Sequence, residues 1–382
     1  DIDTAYNALI TYVIPGSPAA QAGLERGDWI MKVDTSYISK KYETYLLQGT
    51  KAVKLTLGEW KEVEIEDEED GNEGGDGEDE GPMMEYRVVP IDDPVEMPAA
   101  QIVEDNPVHK YEIIESPVKK IRVGYLMYNS FTAGTKAEPE KYNNELRSVS
   151  QKFKEAGVQA VILDLRYNEG GSMDCVQLLG TILTSADRLG EPMAYLEYND
   201  KNTDKDATIL FGTDREINLN LHSLIAITSG TTMGAPEMLI RSLFLEDTYP
   251  IATVGSSTKG QNVATEQFIN EEFLWSVNPV VCTVYNSQHD TYGAISPATD
   301  LKVSETTIAG STNYSEFLPF GTFDKDGKSE RLLKIAIGVL DGTYPPKDDE
   351  TPEESTTQTR FKVEKSVSSP ASRRFSSKGL RL

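Results

Sequence analysis

The sequence predicts an α/β domain preceded by a small β-rich module. Near-continuous apolar strands such as QAVILDLR and SLIAITS alternate with helix-like runs through the middle of the chain, the pattern of a sheet buried on both faces. The first 95 residues instead hold short strands, two short helical stretches and an acidic glycine-rich run. The expected layout is a first domain over 1–95, an α/β domain over 96–345 and a flexible tail over 346–382.

In the first module ALITYVIP (8–15) reads as a strand, and SPAAQAGL as a short helix ending at Gly23. DWIMKVD is a second strand, YETYLLQ a short helix and KAVKLTL a third strand. Residues 62–80, EVEIEDEEDGNEGGDGEDE, hold twelve of the 62 acidic residues and read as a solvated loop extending to 82. EYRVVPI then returns to strand character.

IRVGYLMY (121–128) opens the second domain as a strand. In the next segment Tyr142, Leu146, Val149 and Phe153 recur at the 4-3-4 spacing of one helical face, which Gly157 closes. QAVILDLR is a buried strand, MDCVQLLGTIL a helix, SLIAITS a strand, the run from about 235 a helix and IATVG a strand. FLWSVN and VVCTVYN are shorter strands before a last helix, SERLLKIAIGVLDG. KDDETPEESTTQTR reads as disordered, and the basic residues beyond Arg360 as a flexible tail or a strand that docks elsewhere.

A formal charge of −25 argues against nucleic acid as a partner, since phosphate binding needs a basic surface. No apolar run is long enough to span a bilayer. Cys175 and Cys282 sit in apolar contexts and read as buried free thiols. His109, His222 and His289 have no spacing that supports a metal site or a Ser–His–Asp triad. No metal or cofactor is expected, and the oligomeric state stays open.

Five motifs stand out. In YVIPGSPAAQAGLERGDWIMKVD, small residues open a helix under a sheet and Asp28 orders the turn that follows. VILDLRYNEGGS ends a buried strand in Asp164 and Arg166. Its paired Gly170 and Gly171 let backbone N–H groups approach a ligand closely, as an oxyanion requires; the plainer reading is a strand-to-helix turn with an Asp164–Arg166 ion pair. TTMGAPEML then joins a strand to a helix around Gly234, and VGSSTKGQ and YGAISPATDLKV follow.

The first motif resembles a PDZ domain of the bacterial protease-associated type. The other four, in order, resemble the C-terminal processing peptidases, also called tail-specific proteases. That resemblance implies a catalytic domain of the ClpP and crotonase type and serine-type cleavage of exported polypeptides without metal or cofactor. It also implies an extracytoplasmic setting, periplasmic or lipoprotein-anchored, with an export signal and part of the first domain expected upstream of Asp1. By the same resemblance, position 234 is the nucleophile's and Lys259, twenty-five residues later, the general base. The N–H groups of Ala235 and of Gly170 or Gly171 form the oxyanion site, with Thr232, Glu237 and Gln261 around it.

Gly234 stands where the family has its nucleophilic serine, and Pro236 where it has a second one. No acyl-enzyme can form on a residue without a side chain. The expectation is a chain with little or no hydrolytic activity, or a non-catalytic relative that binds peptides or chain ends. Thr232, Thr231, Ser229 and Thr258 are the neighbouring hydroxyls that a relocated nucleophile would use. Whether Gly234 is natural or introduced is open, although the equally atypical Pro236 speaks against introduction. Glu237 suits either an acid–base role or stabilisation of the helix N-terminus.

Overall fold

Strands that are apolar along their whole length need cover on both faces, and the distribution of such strands sets the architecture. The computed structural model describes residues 6–39, 49–64, 84–303, 305, 317–324, 328–345 and 378–382. The helix expected at YETYLLQ, the acidic loop beyond Glu64 and the stretch 346–377 lie outside the described residues. The described residues fall into two units, the first within 1–105 and 306–319, the second within 106–305, 320–353 and 374–382.

In the first unit β1 (Ala8–Leu9) pairs antiparallel with β2 (Trp29–Val33). Between them lies helix α1 (Pro18–Gln21), where Ser17 accepts a hydrogen bond from the Ala20 N–H and Pro18 occupies the first helical position. Asp28 accepts from the Glu25 N–H at 2.8 Å, ordering the turn into β2. β2 also pairs with β3 (Ser36–Tyr37) and β4 (Val53–Glu64), and β4 with β5 (Met84–Pro90) and β6 (Val95–Met97). Leu24, Ile30, Val33, Ile38 and Leu55 form its core.

Three boundaries differ from the sequence reading. The strand expected over 8–15 shrinks to two residues, because beyond Leu9 the chain keeps only the exchange of Ile10 with Gly27 and Asp28. Glu62–Glu64 belong to β4 rather than to the acidic loop, since β5 pairs out to Glu64. The first unit runs on past residue 95, because β6 is a strand of its sheet.

The second unit is built on a five-stranded sheet. β7 (Val108–Glu115) runs antiparallel to β8 (Arg122–Tyr128), and β9 (Ala160–Asp164) pairs parallel with β8. After β10 (Gly170–Ser172), β11 (Pro192–Tyr198) and β12 (Ala207–Leu210) come β13 (Leu224–Thr228) and β14 (Ile251–Gly255), which complete the order β14-β13-β9-β8-β7. β9 and β13 are buried at every position, as their composition requires. β7 was not anticipated: HKYEIIE mixes charged and apolar residues because it is an edge strand.

β15 (Val263–Thr265), β16 (Phe268–Asn270), β17 (Trp275–Val277), β18 (Val280–Tyr285) and β19 (Gly379–Arg381) follow. β16 and β17 form a hairpin, while the remaining strands make a second sheet in the order β10-β19-β15-β18-β11-β12. Of the two alternatives for the terminal residues, Gly379–Arg381 form a docked strand. The helices α2 (Lys141–Glu155), α3 (Met173–Leu183), α4 (Ala235–Leu243) and α5 (Arg331–Asp341) match the expected apolar runs. The 4-3-4 face of α2 is buried as read, and burying each such side chain stabilises by about 1.5–3 kcal/mol.

The Phe153 ring of α2 lies flat against β8 because Gly124 has no side chain; a Cβ there would sit 2.6–2.9 Å from the ring. Gly124→Ala should cost about 1–3 kcal/mol of stability in urea unfolding, and Phe153→Leu in the same chain should recover part of it. Both cysteines are buried free thiols. Burial pushes Cys175 up to about 12 and Cys282 up to about 11. Both therefore stay protonated at pH 8, and intact-mass measurement should find iodoacetamide alkylating neither until the protein is denatured.

Candidate active site

Two buried polar clusters build the site. In the first, Arg166 is fully buried and grips Asp164 through Nε at 3.0 Å and Nη2 at 2.7 Å. Its Nη1 reaches Glu330 at 2.9 Å and Glu305 at 3.1 Å, and Phe320 lies beneath the guanidinium. Burial opposes the guanidinium charge, but the three carboxylates outweigh it and hold its pKa well above the usual range. Tyr125 donates to Asp164 at 2.7 Å, and burial with that neighbouring charge drives the phenol pKa upward. The plainer reading of Asp164 and Arg166, a structural ion pair, describes this cluster.

Asn168, in the same D-L-R-x-N string, carries the geometry from the sheet to the catalytic-type turn. Its amide donates to the Tyr128 carbonyl at 2.8 Å, its side-chain oxygen accepts from the Gly170 N–H at 3.0 Å, and its carbonyl accepts from the Met233 N–H at 3.2 Å. Sequence reasoning passed over Asn168, although the motif contains it. Because Gly170 N–H is engaged in this way, only Gly171 of the pair turns its N–H toward β19.

Glu237 holds the second cluster. Gly234 precedes α4 with φ 71° and ψ −102°, a backbone state that L side chains rarely adopt, and Ala235 is the fully buried first helical residue. Glu237, fully buried, accepts from the Gly234 N–H at 2.8 Å and the Gln261 N–H at 2.8 Å through Oε2. Through Oε1 it accepts from the Gly260 N–H at 2.5 Å and from the Thr258 hydroxyl. A carboxylate has about four lone-pair sites, and all are taken, so Glu237 has no free site for acid–base work. The Lys259 N–H donates to the Thr232 carbonyl at 3.0 Å, so its loop runs beside the Gly234 turn. The Lys259 side chain is exposed and its ammonium makes no hydrogen bond or ion pair among the described residues.

The structure thus brings Thr232, Gly234, Ala235, Glu237, Lys259, Gln261, Gly170 and Gly171 to one place. The space beside Gly234 is filled: a Cβ there would meet Gly379 and Leu380 backbone atoms at 2.5–2.6 Å. Nothing in KGLRL marked it as a segment of the site. The neighbouring hydroxyls are all engaged. Thr232 donates to the Leu165 carbonyl at 2.9 Å, Thr231 to the Arg166 carbonyl at 2.8 Å, Ser229 also to Arg166, and Thr258 to Glu237. Glu237→Gln would turn an NH₂ group toward backbone donors. It should cost about 1–3 kcal/mol and speed amide exchange at Gly260 and Gln261, read by hydrogen-exchange mass spectrometry.

Comparison with known proteins agrees with this architecture. The profile of Peptidase family S41 matches residues 122–277, and that of the PDZ domain matches residues 9–56. Among curated proteins none matches. Among solved structures, one assigned as an S41 protease from Bacteroides fragilis NCTC 9343 is 38% identical, covers 89% of this chain and 79% of its own, and superposes with a TM-score of 0.73. The photosystem II D1 C-terminal processing protease is 17% identical over 78% of this chain and 68% of its own, with a TM-score of 0.42. A lipoprotein from Streptococcus agalactiae is 19% identical over 49% of this chain and 63% of its own, with a TM-score of 0.36. An N-terminal PDZ domain followed by an α/β peptidase domain, with these motifs in order, makes the chain a member of peptidase family S41.

Proposed function

We propose that this member of family S41 binds extended polypeptide in its catalytic-type groove and has lost the hydrolytic step. The observation that carries the reading is Gly234: the turn keeps its Glu237 anchor, but offers no atom to attack a carbonyl. In the family's scheme Lys259 would deprotonate a hydroxyl on residue 234, and here it has none to act on. Ser229, Thr231, Thr232 and Thr258 each donate their proton to an oxygen that holds the turns together, which supports loss rather than relocation of the nucleophile. The Gly171 and Ala235 N–H groups are then a carbonyl-binding site without chemistry. A PDZ module, which binds chain ends by strand addition, fits the same role. The family resemblance supports an extracytoplasmic setting for it, and no described helix is long and apolar enough to cross a membrane.

The purified chain should neither hydrolyse an unstructured fluorogenic peptide nor become labelled by a serine-directed phosphonate, and Lys259→Ala should change neither result. Gly234→Ser should cost about 1–3 kcal/mol in backbone strain. It should take up the phosphonate only as residues 379 and 380 move away, and Lys259→Ala in that background should abolish the labelling. Robust cleavage by the unaltered chain that Lys259→Ala removes would overturn the proposal.

A further inference from the structure

Residues 379–381 lie as a bound peptide would. β19 is held between β10 and β15 and runs parallel to both, so both of its backbone edges are engaged. On one edge the Gly379 N–H donates to the Glu169 carbonyl at 2.7 Å. The parallel register that pairs Gly170 with Gly379 then sets the Gly379 carbonyl opposite the Gly171 N–H. On the other edge the Thr265 hydroxyl donates to the Leu380 carbonyl at 3.1 Å, and the Leu382 N–H to the Thr265 carbonyl at 3.0 Å. A Cβ at Gly234 would lie 2.5 Å from the Gly379 carbonyl carbon and 2.6 Å from the Leu380 nitrogen. The Gly379–Leu380 peptide bond is therefore the one turned toward the catalytic-type turn.

The groove also reads side chains. Leu380 is buried in the main apolar core of the unit, so this subsite takes a large aliphatic group. Gly379 has φ 86°, a backbone state that L side chains rarely adopt, so this subsite favours glycine. The Gln261 Oε1 beside it is buried and has no hydrogen-bond partner among the described residues. One residue earlier, Lys378 pairs with Glu169 at 3.2 Å in an exposed contact, which contributes little affinity but favours a basic residue.

We propose that the groove between β10 and β15 is a receptor for extended peptides carrying a basic residue, then glycine, then leucine, and that residues 378–382 of this chain occupy it in cis. The proposal rests on reading the site as a peptide groove without hydrolysis. It explains the glycine at 234: a side chain there would overlap the Gly379–Leu380 backbone, so the missing nucleophile is also the room that the strand needs. A segment of the same chain competes intramolecularly with any added peptide, so peptides in trans bind the intact chain weakly.

The test uses fluorescein-labelled SSKGLRL, the sequence of residues 376–382, and fluorescence anisotropy. Three proteins are compared: the intact chain, its Gly379→Val variant, and the chain ending at Ser377, with near-UV circular dichroism verifying the fold of each. Both altered proteins should bind the peptide at least about tenfold more tightly than the intact chain. A peptide with valine for glycine, or aspartate for leucine, should bind them at least about tenfold more weakly. Equal affinity for all three proteins overturns occupancy in cis. If folded altered proteins bind unrelated extended peptides but not SSKGLRL, the assigned sequence preference falls while the groove reading stands; if they bind no peptide, the groove reading falls as well. An independent measurement needs no variant. Millimolar unlabelled SSKGLRL added to the ¹⁵N-labelled intact chain should speed amide exchange at Gly379, Leu380 and Arg381. Unchanged protection there would make β19 a fixed strand of the fold and sink the proposal.

Discussion

The site depends on one buried carboxylate. Glu237 takes hydrogen bonds from the N–H of Gly234 in its own turn and from Thr258, Gly260 and Gln261 in the loop that carries Lys259. These two segments come from different strand ends, and the shared acceptor adds to the Lys259–Thr232 backbone hydrogen bond in tying them together. Burying an ionised group costs several kcal/mol unless its lone pairs are filled. Here that cost becomes a constraint: the carboxylate is stable only while all four donors converge, so the turn and the loop hold each other in register.

The same logic repeats one layer deeper. Arg166 is balanced by Asp164, Glu330 and Glu305, which lie far apart in sequence, and Glu330 also caps α5 by accepting from the Leu333 N–H at 2.9 Å. Between the two clusters, Asn168 joins the end of β8, the paired glycines and the Gly234 turn. The result is a set of backbone groups held by hydrogen bonds to buried polar side chains. The strand that pairs beside them is the chain's own residues 379–381. None of these anchoring bonds uses a side chain at 234.

Legibility from sequence followed the physics of each element. β9, β13 and the helices α2 to α5 were readable because burial on two faces or along one stripe imposes a strict apolar pattern. β7, β11, β12 and β15 were not: edge or half-exposed strands carry no continuous apolar run, as VHKYEIIE and ATIL illustrate. The site motifs were legible as strings, and Gly234 was visible as a departure at once. The roles inside the strings were less so. Glu237 read equally well as a helix-start charge or as an acid–base group, and only the convergence of four donors from two segments decides between them.

What the amino-acid order determined by itself is the set of covered strands and helices, the family motifs and the absence of a side-chain oxygen at position 234. These are local facts, carried by periodicity and residue identity. Tertiary structure alone decided what lies beside that position. Residues 379–381 reach Gly234 across more than a hundred intervening positions, and backbone pairing of a three-residue strand leaves almost no mark on composition. Its location follows from two free strand edges, a leucine-sized hollow and a glycine-sized gap, none of which exists until the chain has folded.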